Sequence, residues 1–309
     1  MAAVIIIILI LLIALLSALF MVYYKVFYSP HRDADEVSAP MIIANKRFND
    51  EVHRQTLSLK NIPCRRVMTR SYDGLRLYGR YYHHEHGAPL CILFHGYRGS
   101  AIRDFSVMGQ FLQNEGYNVL LVDERAHFKS GGHTITYGIR ERRDVLSWIE
   151  YANRRFGTDA PVYLFGISMG AGTVLMASGL ELPDNVKLIC ADCPFSSPKD
   201  IICHVAKKTG WNPKFAWVMS YLSVLVFGHL VIRGDVTAAE SVKRSKKPIL
   251  IIHGEADDFV PPEMSDEIRR ANPELVERHT FPGAGHGVSY FADPERYLAI
   301  VRDFIKRNG

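Results

Sequence analysis

From Val4 to Tyr24 the chain carries no charged residue, and its 21 positions are dominated by Ile, Leu, Val and Ala. As a helix rising about 1.5 Å per residue this run is about 31 Å long, close to the hydrocarbon thickness of a bilayer. It has no polar face, which a core helix at the surface of a soluble domain would need. Tyr23, Tyr24 and Lys25 close it as interfacial aromatic and cationic anchors do. A cleaved signal peptide would bring a basic start, a shorter apolar core and a small-x-small cleavage site. Met1-Ala2-Ala3 has no charged side chain, and bulky residues follow the run. The pattern predicts an uncleaved single-pass transmembrane anchor over 1–25. Lys25 and Arg32 follow it and no basic side chain precedes it, so the positive-inside rule predicts a cell-membrane protein with its domain on the cytoplasmic side.

Residues 26–60 read as a juxtamembrane connector, with Pro30, Pro40 and a short amphipathic stretch from Met41-Ile42-Ile43 through Phe48 and Val52. Beyond residue 61 short apolar runs alternate with helical periodicity. Val67–Arg70 and Leu75–Tyr82 predict a hairpin around Asp73-Gly74. Buried strands are predicted at Leu90–Phe94, Asn118–Val122, Pro161–Phe165, Val186–Ala191 and Pro248–Ile252, with a last one at Val276–Phe281. Helical patterns fall near Ile102–Asn114, Arg140–Arg155, Gly170–Leu180, Glu263–Ala271 and Pro294–Lys306. Continuous apolar strands between helices predict an α/β fold, a mostly parallel sheet covered on both faces, over 61–309. Residues 195–245 break the rhythm: they hold no clear strand, but contain Trp211, Trp217 and the apolar run Tyr221–Phe227. They predict a helical cap insertion.

The chain has 309 residues, 48% of them hydrophobic, enough to bury a large core. A formal net charge of +5 is small for this length and spread out. It suits an anionic membrane surface and gives no sign of nucleic-acid binding. Five cysteines, an odd number without a disulfide-rich spacing, agree with the cytoplasmic placement.

The candidate chemistry begins at Gly166-Ile167-Ser168-Met169-Gly170, between a predicted strand and a predicted helix. A serine hydroxyl is a poor nucleophile unless the backbone holds it clear of its neighbours, and a strand-to-helix turn flanked by glycines does so. In open α/β sheets ligands bind beyond the carboxyl ends of the strands. His286, in Gly283-Ala284-Gly285-His286-Gly287 after the last strand, can reach the serine as general base. Asp257, after the strand at 248–252, can accept the imidazole Nδ1 proton and fix the tautomer. Asp258 and Asp192 are rivals, and each keeps the order Ser…Asp…His. An oxyanion hole needs two N–H groups aimed at one point. Met169, next to the nucleophile, and Tyr97, in His95-Gly96-Tyr97-Arg98-Gly99-Ser100, are the candidates. His95 reads as a turn brace.

These residues together resemble the α/β-hydrolase superfamily of serine hydrolases, from about residue 62 to the end. The resemblance rests on four motifs in order: His-Gly-Tyr at 95–97, the Gly-Ile-Ser-Met-Gly elbow, His-Gly-x-x-Asp-x-x-Val-Pro at 253–261, and Gly-His-Gly at 285–287. The membrane-anchored layout is similar to a bacterial branch that carries Asp-x-Arg-Gly-His-Gly-x-Ser after the next strand. Here residues 123–130 place Ala126 and Phe128 where that pattern has glycine, which bears on the pocket rim. The resemblance implies cleavage of a carboxylic ester through an acyl-enzyme, with a small-molecule or lipid acyl substrate. Amide chemistry, as in peptidase-like relatives, is the alternative; the extra N-terminal domain that many of those use to restrict access is not expected here. A ligand-binding protein that keeps the fold without turnover is the other.

No cofactor or metal is implied. Tyr82-His83-His84-Glu85-His86 sits on a turn whose adjacent side chains cannot all converge on one ion. Cys190 and Cys193 have redox-motif spacing but end a strand before Pro194 instead of opening a helix. The apolar residues of the insertion, Trp217 and Tyr221–Phe227, are expected to pack as a cap, part of which lines an acyl pocket opening toward the bilayer.

Overall fold

The computed structural model describes residues 1–30, 48–232 and 235–309. Arg32, Pro40 and Met41–Ile43, which entered the reading of the connector and of membrane orientation, lie outside the described residues. The apolar run forms one helix, α1 (Ala2–Val26), of which only Leu19 and Tyr23 are buried. It is long and apolar enough to cross a membrane. The connector ends in a second helix, α2 (Asn49–Asn61), whose Val52, Thr56 and Leu59 face inward.

Among the described residues eight strands form one sheet: β1 (Arg65–Arg70), β2 (Arg76–Tyr82), β3 (Leu90–Phe94), β4 (Asn118–Val122), β5 (Val162–Ile167), β6 (Val186–Asp192), β7 (Ile249–Gly254) and β8 (Val276–Phe281), in spatial order 1-2-4-3-5-6-7-8. The β1–β2 hairpin is antiparallel, and β2 runs antiparallel to β4. All pairings from β4 to β8 are parallel. Parallel strands need crossover connections, and the helices that supply them cover both faces.

The pleat divides the core in two. In β3, Leu90, Ile92 and Phe94 join one apolar cluster while Cys91 and Leu93 join the other. The first face carries α5 (Glu141–Phe156), α6 (Met169–Ala177), α9 (Ala238–Lys243) and α10 (Pro262–Ala271). The second carries α2, α3 (Ala101–Asp104), α4 (Ser106–Asn114) and α12 (Pro294–Asn308). A four-residue helix, α11 (Ser289–Ala292), precedes α12.

Among the described residues of 195–245 three helices form, each opened by a side-chain cap. Ser197 accepts from the Asp200 N–H at the start of α7 (Pro198–Lys208). Asn212 accepts from the Phe215 N–H at the start of α8 (Pro213–Phe227), and Thr237 from the Glu240 N–H at the start of α9. Helix α9 is a core element, packing on α6 and α10 with Val242 fully buried. Helices α7 and α8 pack on each other, and α8 packs along α1. Val224 of α8 is buried, but Leu225 and Val226 are exposed, so those two side chains do not line an enclosed pocket.

Candidate active site

The elbow between β5 and α6 is sterically committed to its glycines. A Cβ at Gly166 would lie 2.3 Å from the Gly170 carbonyl oxygen, and one at Gly170 would lie 1.8 Å from that of Phe94. Ser168, pinched between them, has φ 54° and ψ −112°, a conformation that L-residues seldom adopt and that costs about 1–3 kcal/mol. Its N–H donates to the Asp192 carbonyl at 2.8 Å, which ties the elbow to the end of β6.

His286 projects from the loop after β8, and its Nε2 lies 2.8 Å from Ser168 Oγ. Its Nδ1 lies 2.6 Å from Asp257 Oδ2, in the loop after β7. The other Asp257 oxygen, Oδ1, accepts from the backbone N–H groups of Phe259 and Val260 at 3.0 and 2.8 Å. All three side chains are buried. Burial alone would raise the Asp257 carboxyl, but hydrogen bonds from His253 and His286 outweigh it and hold the group well below the ordinary carboxylate range. A carboxylate that stays ionised beside Nδ1 leaves Nε2 as the acceptor facing the serine.

Asp258 is exposed and pairs with Lys208 at 2.6 Å. Asp192 sits behind the elbow: Tyr297 Oη donates to its Oδ2 at 2.8 Å, its Oδ1 has no partner, and it makes no hydrogen bond to His286. Burial pushes the Asp192 carboxyl up to about 6 despite the Tyr297 hydrogen bond.

The His95–Ser100 loop passes beside the nucleophile, since a Cβ at Gly96 would stand 3.4 Å from that of Ser168. Asp104 Oδ2 accepts the Gly96 N–H at 2.9 Å, and Gly99 N–H donates to the Gly96 carbonyl at 2.9 Å. His95 donates from Nδ1 to the Gly96 carbonyl and accepts the Glu124 N–H at Nε2. His127 donates from Nδ1 to the Arg125 carbonyl and accepts the Arg98 N–H at Nε2. The two rings meet edge to face at 4.6 Å, a double brace that fixes the loop bearing Tyr97. Met169 opens α6, where first-turn N–H groups have no intrahelical acceptor and carry the positive end of the helix dipole.

The same loop grips the end of α1. Tyr97 Oη donates to the Val26 carbonyl at 2.8 Å, and Tyr137 Oη to the same oxygen at 3.2 Å. Arg98 Nη2 donates to the Lys25 and Tyr28 carbonyls, each at 2.9 Å. The last carbonyls of a helix lack intrahelical donors, and a guanidinium also suits the negative end of the dipole. Phe27, just past α1, is 1% exposed and packs edge-on against Tyr137, which stacks on Tyr97.

Sequence reasoning assigned no role to several residues here. His253 Nε2 lies 2.9 Å from the Val260 carbonyl and 3.2 Å from Asp257 Oδ2, so it braces the acid loop from below. The Phe259 ring lies 5.1 Å from the His286 ring. Cys193 Sγ lies 3.9 Å from His286 Nε2. Its donor atom, with those of Asp257 and His286, falls within 4.8 Å of the others. As a metal site the set fits poorly, because both imidazole nitrogens are already engaged and burial raises the Cys193 thiol well above its ordinary range. His83, His84 and His86 are exposed on their turn, and Cys190 and Cys193 are buried free thiols.

The model of the prolyl oligopeptidase family matches residues 103–308. Among curated proteins, the chain is 26% identical over 268 residues to the uncharacterized protein YqkD of Bacillus subtilis, spanning 84% of this chain and 85% of that one. It is 25% identical over 236 residues to the lysophosphatidylserine lipase ABHD12 of Xenopus tropicalis, spanning 70% of this chain and 57% of the lipase. Among solved structures, the esterase Pf2001 of Pyrococcus furiosus superposes with a TM-score of 0.63 at 25% identity, covering 88% of this chain and 99% of the esterase.

Proposed function

We propose that this chain, which belongs to the prolyl oligopeptidase family, is a membrane-anchored α/β-hydrolase that cleaves carboxylic esters through an acyl-serine. The observation that carries the reading is the unbroken relay from Ser168 Oγ to His286 Nε2 at 2.8 Å and from His286 Nδ1 to Asp257 at 2.6 Å. In it, Ser168 attacks the ester carbonyl while His286 takes its proton, and Asp257 stabilises the imidazolium. The N–H groups of Tyr97 and Met169 hold the developing oxyanion. His286 then protonates the leaving alcohol, and water, deprotonated by the same imidazole, releases the acid. Among proteins similar to this chain, one is an esterase and one a lysophosphatidylserine lipase, which supports ester over amide chemistry.

The substrate proposed is an acyl ester carried by or close to the membrane. Helix α1 is read as the span, with 26–60 as connector and the domain on the cytoplasmic side. Supporting this, the loop beside Ser168 hydrogen-bonds the last turn of α1, which keeps the site close to the end of that helix. The family name favours a second reading, peptide hydrolysis on the same triad.

Fluorophosphonate labelling and hydrolysis of p-nitrophenyl acyl esters against aminoacyl p-nitroanilides test both readings. Ser168→Ala is expected to abolish labelling and lower kcat by about 10³-fold or more with folding intact, since a triad acts as a unit. Undiminished ester turnover in the folded variant would end the serine-hydrolase reading, and anilide turnover exceeding that of every ester would move it to peptidase.

A further inference from the structure

Helix α8 is patterned inside out. The side chains it buries are Ser220, Ser223 and Val224, and the Ser223 hydroxyl is satisfied within the helix by the Ser220 carbonyl. Its outward stripe is Phe215, Val218, Leu225 and Val226, exposed by 55%, 51%, 36% and 42%. These positions fall within about 100° of arc at 3.6 residues per turn, so they form one face. The single charged residue of α8 is Lys214, at its first turn. A surface helix in water carries the reverse arrangement, with polar residues outside. Small residues at a helix contact and large apolar ones outside are the arrangement found where the surroundings are lipid.

Depth is set by α1. The uncharged run Val4–Tyr24 is about 31 Å long as a helix, against hydrocarbon about 30 Å thick, so nearly all of it is needed to cross. Phe227 of α8 packs on Phe20 and Tyr23 of that run, with ring centroids 5.4 and 5.8 Å away. Phe20 lies one turn to the membrane side of the Tyr23–Tyr24 belt. Any bilayer that accommodates α1 therefore meets α8 as well.

The geometry points to α8 as a second membrane element: a helix packed on the end of α1 whose Phe215–Val226 face is immersed in the phospholipid acyl chains of the leaflet α1 leaves. Its partner is the hydrocarbon border of that leaflet, with Lys214 able to reach the headgroups. The domain is then seated in the membrane surface by two elements, and the apolar face of α8 is a lipid contact instead of a pocket wall. This rests on α1 crossing the bilayer and not on the chemistry at Ser168.

The test uses the full chain in phosphatidylcholine–phosphatidylglycerol vesicles. The accessible thiols are removed as Cys64→Ser and Cys203→Ser, leaving only buried cysteines. An environment-sensitive fluorophore is then placed singly through Ile13→Cys in α1, Val218→Cys in α8, or Glu181→Cys in the exposed turn before β6. Brominated acyl chains quench probes in lipid, and iodide quenches probes in water. The probe at 218 is expected to lose emission to lipids brominated near the headgroup, the probe at 13 to lipids brominated near the chain ends, and the probe at 181 to iodide alone. If 218 responds to iodide while 13 responds to lipid, α1 spans and the proposal for α8 fails. A probe at 218 shielded from both quenchers means that protein covers the face, and also overturns it. Iodide quenching at 13 would remove the span itself and this inference with it.

Discussion

Asp257→Asn separates the acid proposed for the triad from its rivals through a tautomer. The backbone N–H groups of Phe259 and Val260 both point at Oδ1, so the amide oxygen of an asparagine must take that position. Its NH₂ group is then forced into the place of Oδ2, 2.6 Å from His286 Nδ1. Two donors cannot share that contact, so the imidazole must turn Nδ1 into the acceptor and carry its proton on Nε2. Nε2–H then faces Ser168 Oγ and cannot take its proton. Geometry is retained and the base is lost, which costs about 10⁴ in kcat, or about 5 kcal/mol of transition-state stabilisation. KM should change little, since nothing that binds the acyl group has moved. The assay is steady-state hydrolysis of a p-nitrophenyl ester by the full chain in detergent, with Asp192→Asn run beside it. Asp192 contacts Tyr297 and not the imidazole, so its variant should lose less than about 10-fold by the same logic. A loss under about 10-fold for Asp257→Asn, or a larger one for Asp192→Asn, would refute the assignment.

Asp192→Asn should also change stability in a pH-dependent way. The native carboxyl binds its proton up to about 6 instead of 3.8, so wild-type stability falls as pH rises through that window, by up to about 3 kcal/mol. Melting curves should therefore favour the asparagine variant at pH 8 and show no gain at pH 4; an equal gain at both would reject the buried-acid account. Arg125 is buried and donates from Nε and Nη2 to Asp144 at 2.7 Å, with Asp73 on its outer nitrogens at 3.0 and 3.2 Å. Arg125→Met strands the buried Asp144 carboxylate and should cost about 3–5 kcal/mol in denaturant titrations, much of it recovered by Asp144→Leu in the same chain. A loss below about 1 kcal/mol would mean the pair is solvated in solution. Phe27→Ala, which empties a core position at the exit of α1, should cost about 3–5 kcal/mol. It should also slow hydrolysis of a soluble acetate ester, whereas replacing Val4–Leu12 by leucines should leave that rate unchanged.

Where the information was local, the sequence was readable. β3 and β4 begin and end where their short apolar runs predict, and the elbow declares itself because only glycine survives on either side of Ser168. What escaped depends on contacts distant in sequence. The helix expected over Ile102–Asn114 is broken at Phe105 (φ −113°, ψ 23°), and Asp104 just before the break is used to hold Gly96. No periodicity reports that a carboxylate eight residues away needs its helix ended. His253 stood in a quoted motif, but its role lies in reaching a carbonyl seven residues on and a carboxylate that itself serves His286. Asp192 and Asp257 look alike as acids after neighbouring strands, and only the side-chain partners distinguish them. The replacements at Ala126 and Phe128 read as a changed pocket rim. The backbone there still takes φ 62° and 42°, the conformation glycine favours, at a cost of about 1–2 kcal/mol for each residue, and Phe128 is buried.

The least legible feature is also the one that joins anchor to chemistry. A tether needs only a flexible joint, and a connector of 26–60 would have supplied one. Instead the chain leaves α1 by burying Phe27 and Ser29 and giving the Lys25, Val26 and Tyr28 carbonyls to Tyr97, Tyr137 and Arg98. Tyr97 thereby has two ends with two tasks: its hydroxyl closes the end of α1, and its backbone lies beside Gly96 and Ser168. Each hydrogen bond is worth about 1 kcal/mol, but a helix end left without donors in a partly buried setting would cost more than their sum. The loop and the helix end therefore order one another. Motion of α1 reaches the proposed oxyanion donor through the Tyr97 side chain, and removal of residues 1–28 would take away the Val26 carbonyl that holds that side chain in place.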